Sequence, residues 1–152
     1  MTDFCKKISD LRRAVAAADS YRAELNGKMK YLKAATIETP QKLDNVPMQL
    51  LTIDKKLADI NTKLNGDASL AKREFETPPA INGRVGSIEY TLWNVTTAPT
   101  QTFINSFEIA SSQFTEVLKS LKEVDDEIIK IETILEQNNA PYTPGRLPVW
   151  KK

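Results

Sequence analysis

The 152-residue chain contains no histidine. That removes Ser-His-Asp and Cys-His catalysis, histidine-ligated zinc or iron, and histidine pH switching together. The single Cys5 can form neither an internal disulfide nor a four-cysteine zinc site. No base lies near it in sequence, so it reads as a small apolar residue at a helix start and not as a nucleophile. The densest acidic run is Glu123, Asp125, Asp126 and Glu127, the residue type that metal sites and glycosidases use in pairs. Consecutive positions on a helix fan out instead of converging, and Lys119-Glu123 and Lys122-Asp126 have the i,i+4 spacing that decorates a solvated face. Gly83-Arg84-Val85-Gly86 has the letters of an RNA-binding GxxG loop. It falls in a helical pattern without flanking strands or a basic surplus, so two small residues permitting close helix contact are the better account. Asn94-Val95-Thr96 fits a glycosylation sequon that matters only in a eukaryotic secretory pathway. No catalytic, cofactor-binding or metal-ligating residue is assigned, and the chain itself reads as non-enzymatic with no cofactor.

The elements that carry these residues are helices, and the longest organises the rest. From Thr100 to Gln137 the apolar positions step by four and three without a miss: Phe103, Phe107, Ala110, Phe114, Val117, Leu121, Val124, Ile128, Ile131, Leu135. Residues three and four apart overlie one another on a 3.6-residue helix, so this is one apolar stripe that needs a partner. A first helix over about Asp3 to Ile37 repeats the rhythm with Phe4, Ile8, Leu11, Val15, Ala18, Leu25, Met29 and Leu32. Arg22 is its one interruption, Thr2 is a candidate N-cap, and Gly27 predicts a soft point or a close crossing. Thr39-Pro40 reads as a cap and first turn over Pro40 to Asp44. The main second helix is expected from about Pro47 to Leu64 because Pro47 cannot sit deep in a helix. Asn65-Gly66-Asp67 reads as a left-handed cap, and the connection 66–79 as polar with a helical turn at 68–74. A third helix over about Pro79 to Asn94 carries Ile81, Val85, Ile88, Leu92 and Val95. The short Thr96-Thr97-Ala98-Pro99 link, with the cap at Thr97 or Ala98 and Pro99 in the first turn, folds this helix back antiparallel to the long one.

Charge is balanced overall at +1 but not along the chain. Residues 1–37 carry +4, 100–137 carry −5, and 138–152 carry +3 with no acid. The totals argue against nucleic-acid binding, while the basic first helix and the acidic last one are suited to lie side by side. No run approaches the roughly 18 apolar residues that span a bilayer, so no membrane insertion is expected. The N-terminus opens directly into an amphipathic pattern, so no signal peptide is read on this chain if Met1 is a natural start.

These features predict an all-α fold: an elongated up-down-up-down four-helix bundle, two helices long and two shorter, over 1–137. An extended Pro-rich tail follows over 138–152. Three prolines and a glycine after Gln137 forbid helix there. Tyr142, Arg146, Leu147 and Trp150 are the candidate interaction residues, the apolar ones able to pack on the bundle or on something outside it.

Ile81-Asn82-Gly83-Arg84-Val85, the Ala98-Pro99-Thr100 turn and Ala140-Pro141-Tyr142-Thr143-Pro144-Gly145-Arg146-Leu147-Pro148-Val149-Trp150 together resemble the C-terminal end of large bacterial secreted BNR-repeat or sortilin-like glycosyl hydrolases. The likeness is best over about 79–150 and rests on helix layout alone before that. It implies a helical segment that follows a β-propeller, a secreted or periplasmic location, and a sugar-related activity that belongs to the propeller. The expected function is thus a non-catalytic accessory or interaction domain, excised from or related to such a protein, that packs on its propeller or mediates assembly. The alternative is a free-standing coiled-coil protein that binds partners or forms homo-oligomers through its long seam.

Overall fold

The computed structural model describes residues 3–39, 45–66, 80–94 and 100–138, with the backbone alone at 93 and 94. Four helices make up almost all of these residues: α1 (Asp3–Glu38), α2 (Val46–Asn65), α3 (Ile81–Asn94) and α4 (Gln101–Gln137). No strand occurs among the described residues, so the all-α expectation holds. Thr2, the turn at 40–44, the connection 67–79, the link 95–99 and the tail 139–152 lie outside them.

The limits of α2 and α4 have local causes. Pro47 falls in the first turn of α2, where a missing N–H removes no intrahelical bond. Gly66 ends that helix with a φ of 83°, its N–H donating to the Thr62 carbonyl at 2.8 Å. The cap of α4 is Thr100 and not Thr97 or Ala98. Its backbone is extended and its hydroxyl accepts the Phe103 N–H at 3.4 Å, so the helix begins at Gln101. At the far end Asn138 closes α4, its N–H and its Nδ2 both donating to the Ile134 carbonyl, at 3.2 and 2.7 Å.

The core consists of the stripes the 4-3 spacing marks. In α1 the buried side chains include Ile8, Val15, Leu25, Met29 and Leu32, while Phe4 and Leu11 are half-buried; in α4 every seam position from Ala110 to Leu135 is buried. Phe4 meets Phe107 edge-on with ring centroids 5.6 Å apart, closing the first end of the rod.

Chain direction departs from the expected order. Tyr21 bonds Asp125 and Lys28 bonds Glu132, each pair 104 residues apart in sequence, so α1 and α4 run parallel. Lys33 pairs with Asp54 and Asp19 with Asn65, so α2 runs down against α1. Asn82 at the start of α3 bonds Asn65 at the end of α2, and Glu89 further along α3 reaches Arg12, nearer the start of α1. Thus α3 continues in the direction of α2. The order is up-down-down-up, and the up-down-up-down four-helix bundle is corrected to three columns: α1, α4, and α2 followed by α3. The reason is length. Helices of 20 and 14 residues, at 1.5 Å per residue, together match one long partner of 36 or 37 residues, so stacking them end to end covers the apolar stripes of both long helices along the rod.

Glycine plays a smaller part than expected. A Cβ placed on Gly27, Gly83 or Gly86 would meet nothing within 4 Å, so none of them marks a close helix crossing, and the small-residue account of Gly83 and Gly86 is withdrawn. Gly27 is an ordinary helical position lacking a side chain. Gly27→Ala should therefore raise unfolding free energy by about 0.5–1 kcal/mol, read as a higher urea midpoint at unchanged slope; a drop would mean that the helix is strained there.

Candidate functional site

The acidic run does not act as a unit. Glu123 and Asp126 are exposed, whereas Asp125 and Glu127 turn to opposite sides of α4 and tie it to different columns. Asp125 accepts the Tyr21 hydroxyl at 2.5 Å and Glu127 pairs with Lys56 of α2 at 2.6 Å. Helical fanning separates them as the spacing implies, but the face is not purely solvated, because its half-buried members have cross-helix partners. No group of three or more metal-ligating side chains gathers among the described residues, and no helix there is long and apolar enough to cross a membrane.

The Tyr21 phenol is pushed up to about 12, first by its hydrogen bond to Asp125, then by burial, then by the negative charges of Asp125, Glu24 and Glu132. Only the protonated phenol can donate to the carboxylate. The stabilisation is therefore complete below pH 10, the ordinary phenol value, and is lost as pH rises through about 12. The stability difference between the wild type and Tyr21→Phe should be constant up to about pH 10 and shrink toward pH 12; a difference that stays flat across that window contradicts the assignment.

A polar cluster sits at mid-rod, where α2 hands over to α3. Arg22, which breaks the α1 rhythm, turns its Nε to Asp19 Oδ1 at 2.9 Å, and its side chain is only 14% exposed. Asn65 Nδ2 donates to the same oxygen at 3.1 Å and to Asn61 Oδ1 at 2.9 Å, while Asn82 Nδ2 donates to Asn65 Oδ1 at 2.7 Å. Both amide hydrogens and the oxygen of Asn65 are thereby engaged. The cluster joins α1, α2 and α3 at one height. It holds no nucleophile, and it fixes position.

Arg84, the polar residue of the GxxG letters, lies half-buried on α3 with Nη1 3.4 Å from Ser106 Oγ of α4; its Nε is buried without a partner among the described residues. It packs between helices and does not occupy a loop.

An open groove of about 410 Å³ lies between α2 and α4 near the end of the rod where α4 stops. Met48 and Thr52 form one lip, Lys130 and Ile134 the other, and the buried Ile53 and Ile131 the floor. Glu127, paired with Lys56, stands at its lower end.

No family model, curated protein or solved structure matches the chain. The site must therefore be judged on its own residues.

Of the residues singled out by sequence, Tyr142, Arg146, Leu147 and Trp150 lie outside the described ones. Cys5 is half-buried near the start of α1. Sequence reasoning missed Asn61, Asn65, Asn82 and the groove. Its one available signal was Arg22 in an apolar stripe with Asp19 three residues before it, the spacing of a same-face ion pair. Nothing in either helix announces that two asparagines from different helices complete it.

Proposed function

We infer that the chain is a non-catalytic helical-bundle accessory or interaction domain, the C-terminal part of a larger secreted or periplasmic BNR-repeat glycosyl-hydrolase-like protein. The observation that carries the non-catalytic part is the use made of the described polar groups. Asp125 and Glu127 of the acidic run, the Asp19–Arg22–Asn65 cluster and the cross-helix ion pairs all bind helix to helix. The parent protein is supported by the tail motif from Pro141 to Trp150 and by the Ala98-Pro99-Thr100 turn. In this reading any hydrolysis belongs to the propeller, and the bundle packs on that propeller or assists assembly.

The deciding experiment is to read the coding sequence upstream of Met1. An in-frame β-propeller supports the proposal. A stop codon followed by a genuine start, with no propeller, overturns it.

The rival reading, a free-standing oligomer, draws on one observation: Tyr21, Tyr31, Leu118 and Ile129 are exposed on the two parallel long helices. Light scattering separates the two. A monomer across a wide concentration range supports the accessory domain, and a concentration-dependent dimer supports the rival.

A further inference from the structure

We propose that the groove between α2 and α4 is the docking site of the chain's own C-terminal segment, Tyr142 to Trp150, with Trp150 as the anchor. The groove is apolar where it is deepest, at Ile53 and Ile131, and its upper lip leaves Met48 69% exposed. An unbranched thioether on the edge of an aliphatic trough suits an aromatic ring, because sulfur contacts ring edges favourably and adapts its shape to them. A tryptophan buries on the order of 150–250 Å², and a groove of about 410 Å³ has room for one indole and a neighbouring aliphatic side chain.

Three observations select the tail over other occupants. The first is position. Asn138 caps α4 on the carbonyl of Ile134, a residue of the groove lip, so the chain leaves the helix at the mouth of the groove. The second is reach. The 14 residues after Asn138 can span roughly 46 Å when extended. The groove from Ile134 to Glu127 runs along seven residues of helix, about 10 Å. A tethered segment of this length is present at an effective concentration near millimolar, so weak contacts suffice to hold it. The third is chemistry. The segment 142–150 offers Tyr142, Leu147, Val149 and Trp150, and the tail carries Arg146, Lys151 and Lys152 with no acid. It would lie along α4, which carries eight acids against three bases, while Glu127 at the foot of the groove is already held by Lys56. Lys130 on the lip is the one opposing charge in the lining, and its long stem leaves the ammonium free to turn to solvent. A second copy of the chain would have to outcompete this tethered segment. The proposal stands whether or not the chain is part of a propeller protein.

The test uses the full chain in solution by NMR. Nuclear Overhauser contacts should join the Trp150 indole to the methyl groups of Met48, Ile131 and Ile134, and should persist within one molecule when differently labelled copies are mixed. Trp150→Ala should shift those three methyl resonances and leave Ile8, Ile81 and Ile88 in the other half of the rod unmoved. Met48→Asp charges an exposed lip without disturbing the core, and it should abolish the indole contacts while the remaining spectrum stays folded. Indole contacts to another face, no indole contacts at all, or contacts that appear only between copies each overturn the proposal.

Discussion

Replacing Ile128 by alanine should lower the unfolding free energy by about 2–5 kcal/mol, whereas the same change at the next residue, Ile129, should stay within about 0.5 kcal/mol. Ile128 is 0% exposed on the α4 seam, and Ile129 is 51% exposed on the outer surface. The side chains are identical, so helix propensity and residue volume cancel in the comparison. What remains is the cavity left in the hydrophobic core, which close-packed neighbours relax into only partly. Urea unfolding of both variants measures the contrast; equal losses would mean that the stripe does not face the columns described. An effect of this size is a large fraction of the 5–15 kcal/mol that holds a typical domain.

Asp19→Ala should cost about 1–3 kcal/mol although Asp19 lies near the surface, because it strands a mostly buried guanidinium. The Arg22 guanidinium loses its partner in a mostly buried setting, whereas the exposed amide of Asn65 exchanges its acceptor for water. Arg22→Leu on the Asp19→Ala background should recover much of the loss. It removes the stranded charge and restores an apolar residue to the α1 stripe, and replacing a buried polar pair by well-packed apolar groups is often neutral or favourable. A double-mutant cycle by denaturant unfolding measures the coupling directly. Additive effects at the two positions would refute the cluster. The same cycle bears on specificity. If the cluster sets where α2 ends and α3 begins, the double variant keeps its stability while amide exchange accelerates at Asn65 and Asn82.

The periodic features were legible because they follow from local geometry. Steps of four and three in α4 select Ile128 and reject Ile129 before any partner is known, and the structure buries them as selected. The Pro47 boundary and the glycine at the end of α2 were legible for the same reason: a missing N–H and a positive φ are properties of single residues. The charge contrast between the first and last helices correctly indicated neighbours, as Lys28–Glu132 illustrates. The Gly83 and Gly86 reading failed because a missing side chain permits a close approach without requiring one, and nothing approaches. The acidic run was half legible. Its dispersal follows from helix periodicity, but the partners of Asp125 and Glu127 sit on α1 and α2, 104 and 71 residues away in the chain.

What the sequence determined by itself was the four helices of the described residues, the face of each that must leave water, and the removal of all histidine chemistry. Those are consequences of residue type and spacing within one element. Only the tertiary structure decided that α2 and α3 point the same way and share one column, that α1 and α4 run parallel, and that asparagines from two other helices join the Asp19–Arg22 pair. An apolar stripe states that a face needs covering, but it covers equally well from either direction and by one long helix or two short ones. The choice depends on matching helix lengths and on a few polar contacts between distant residues, and neither quantity exists until the columns are assembled.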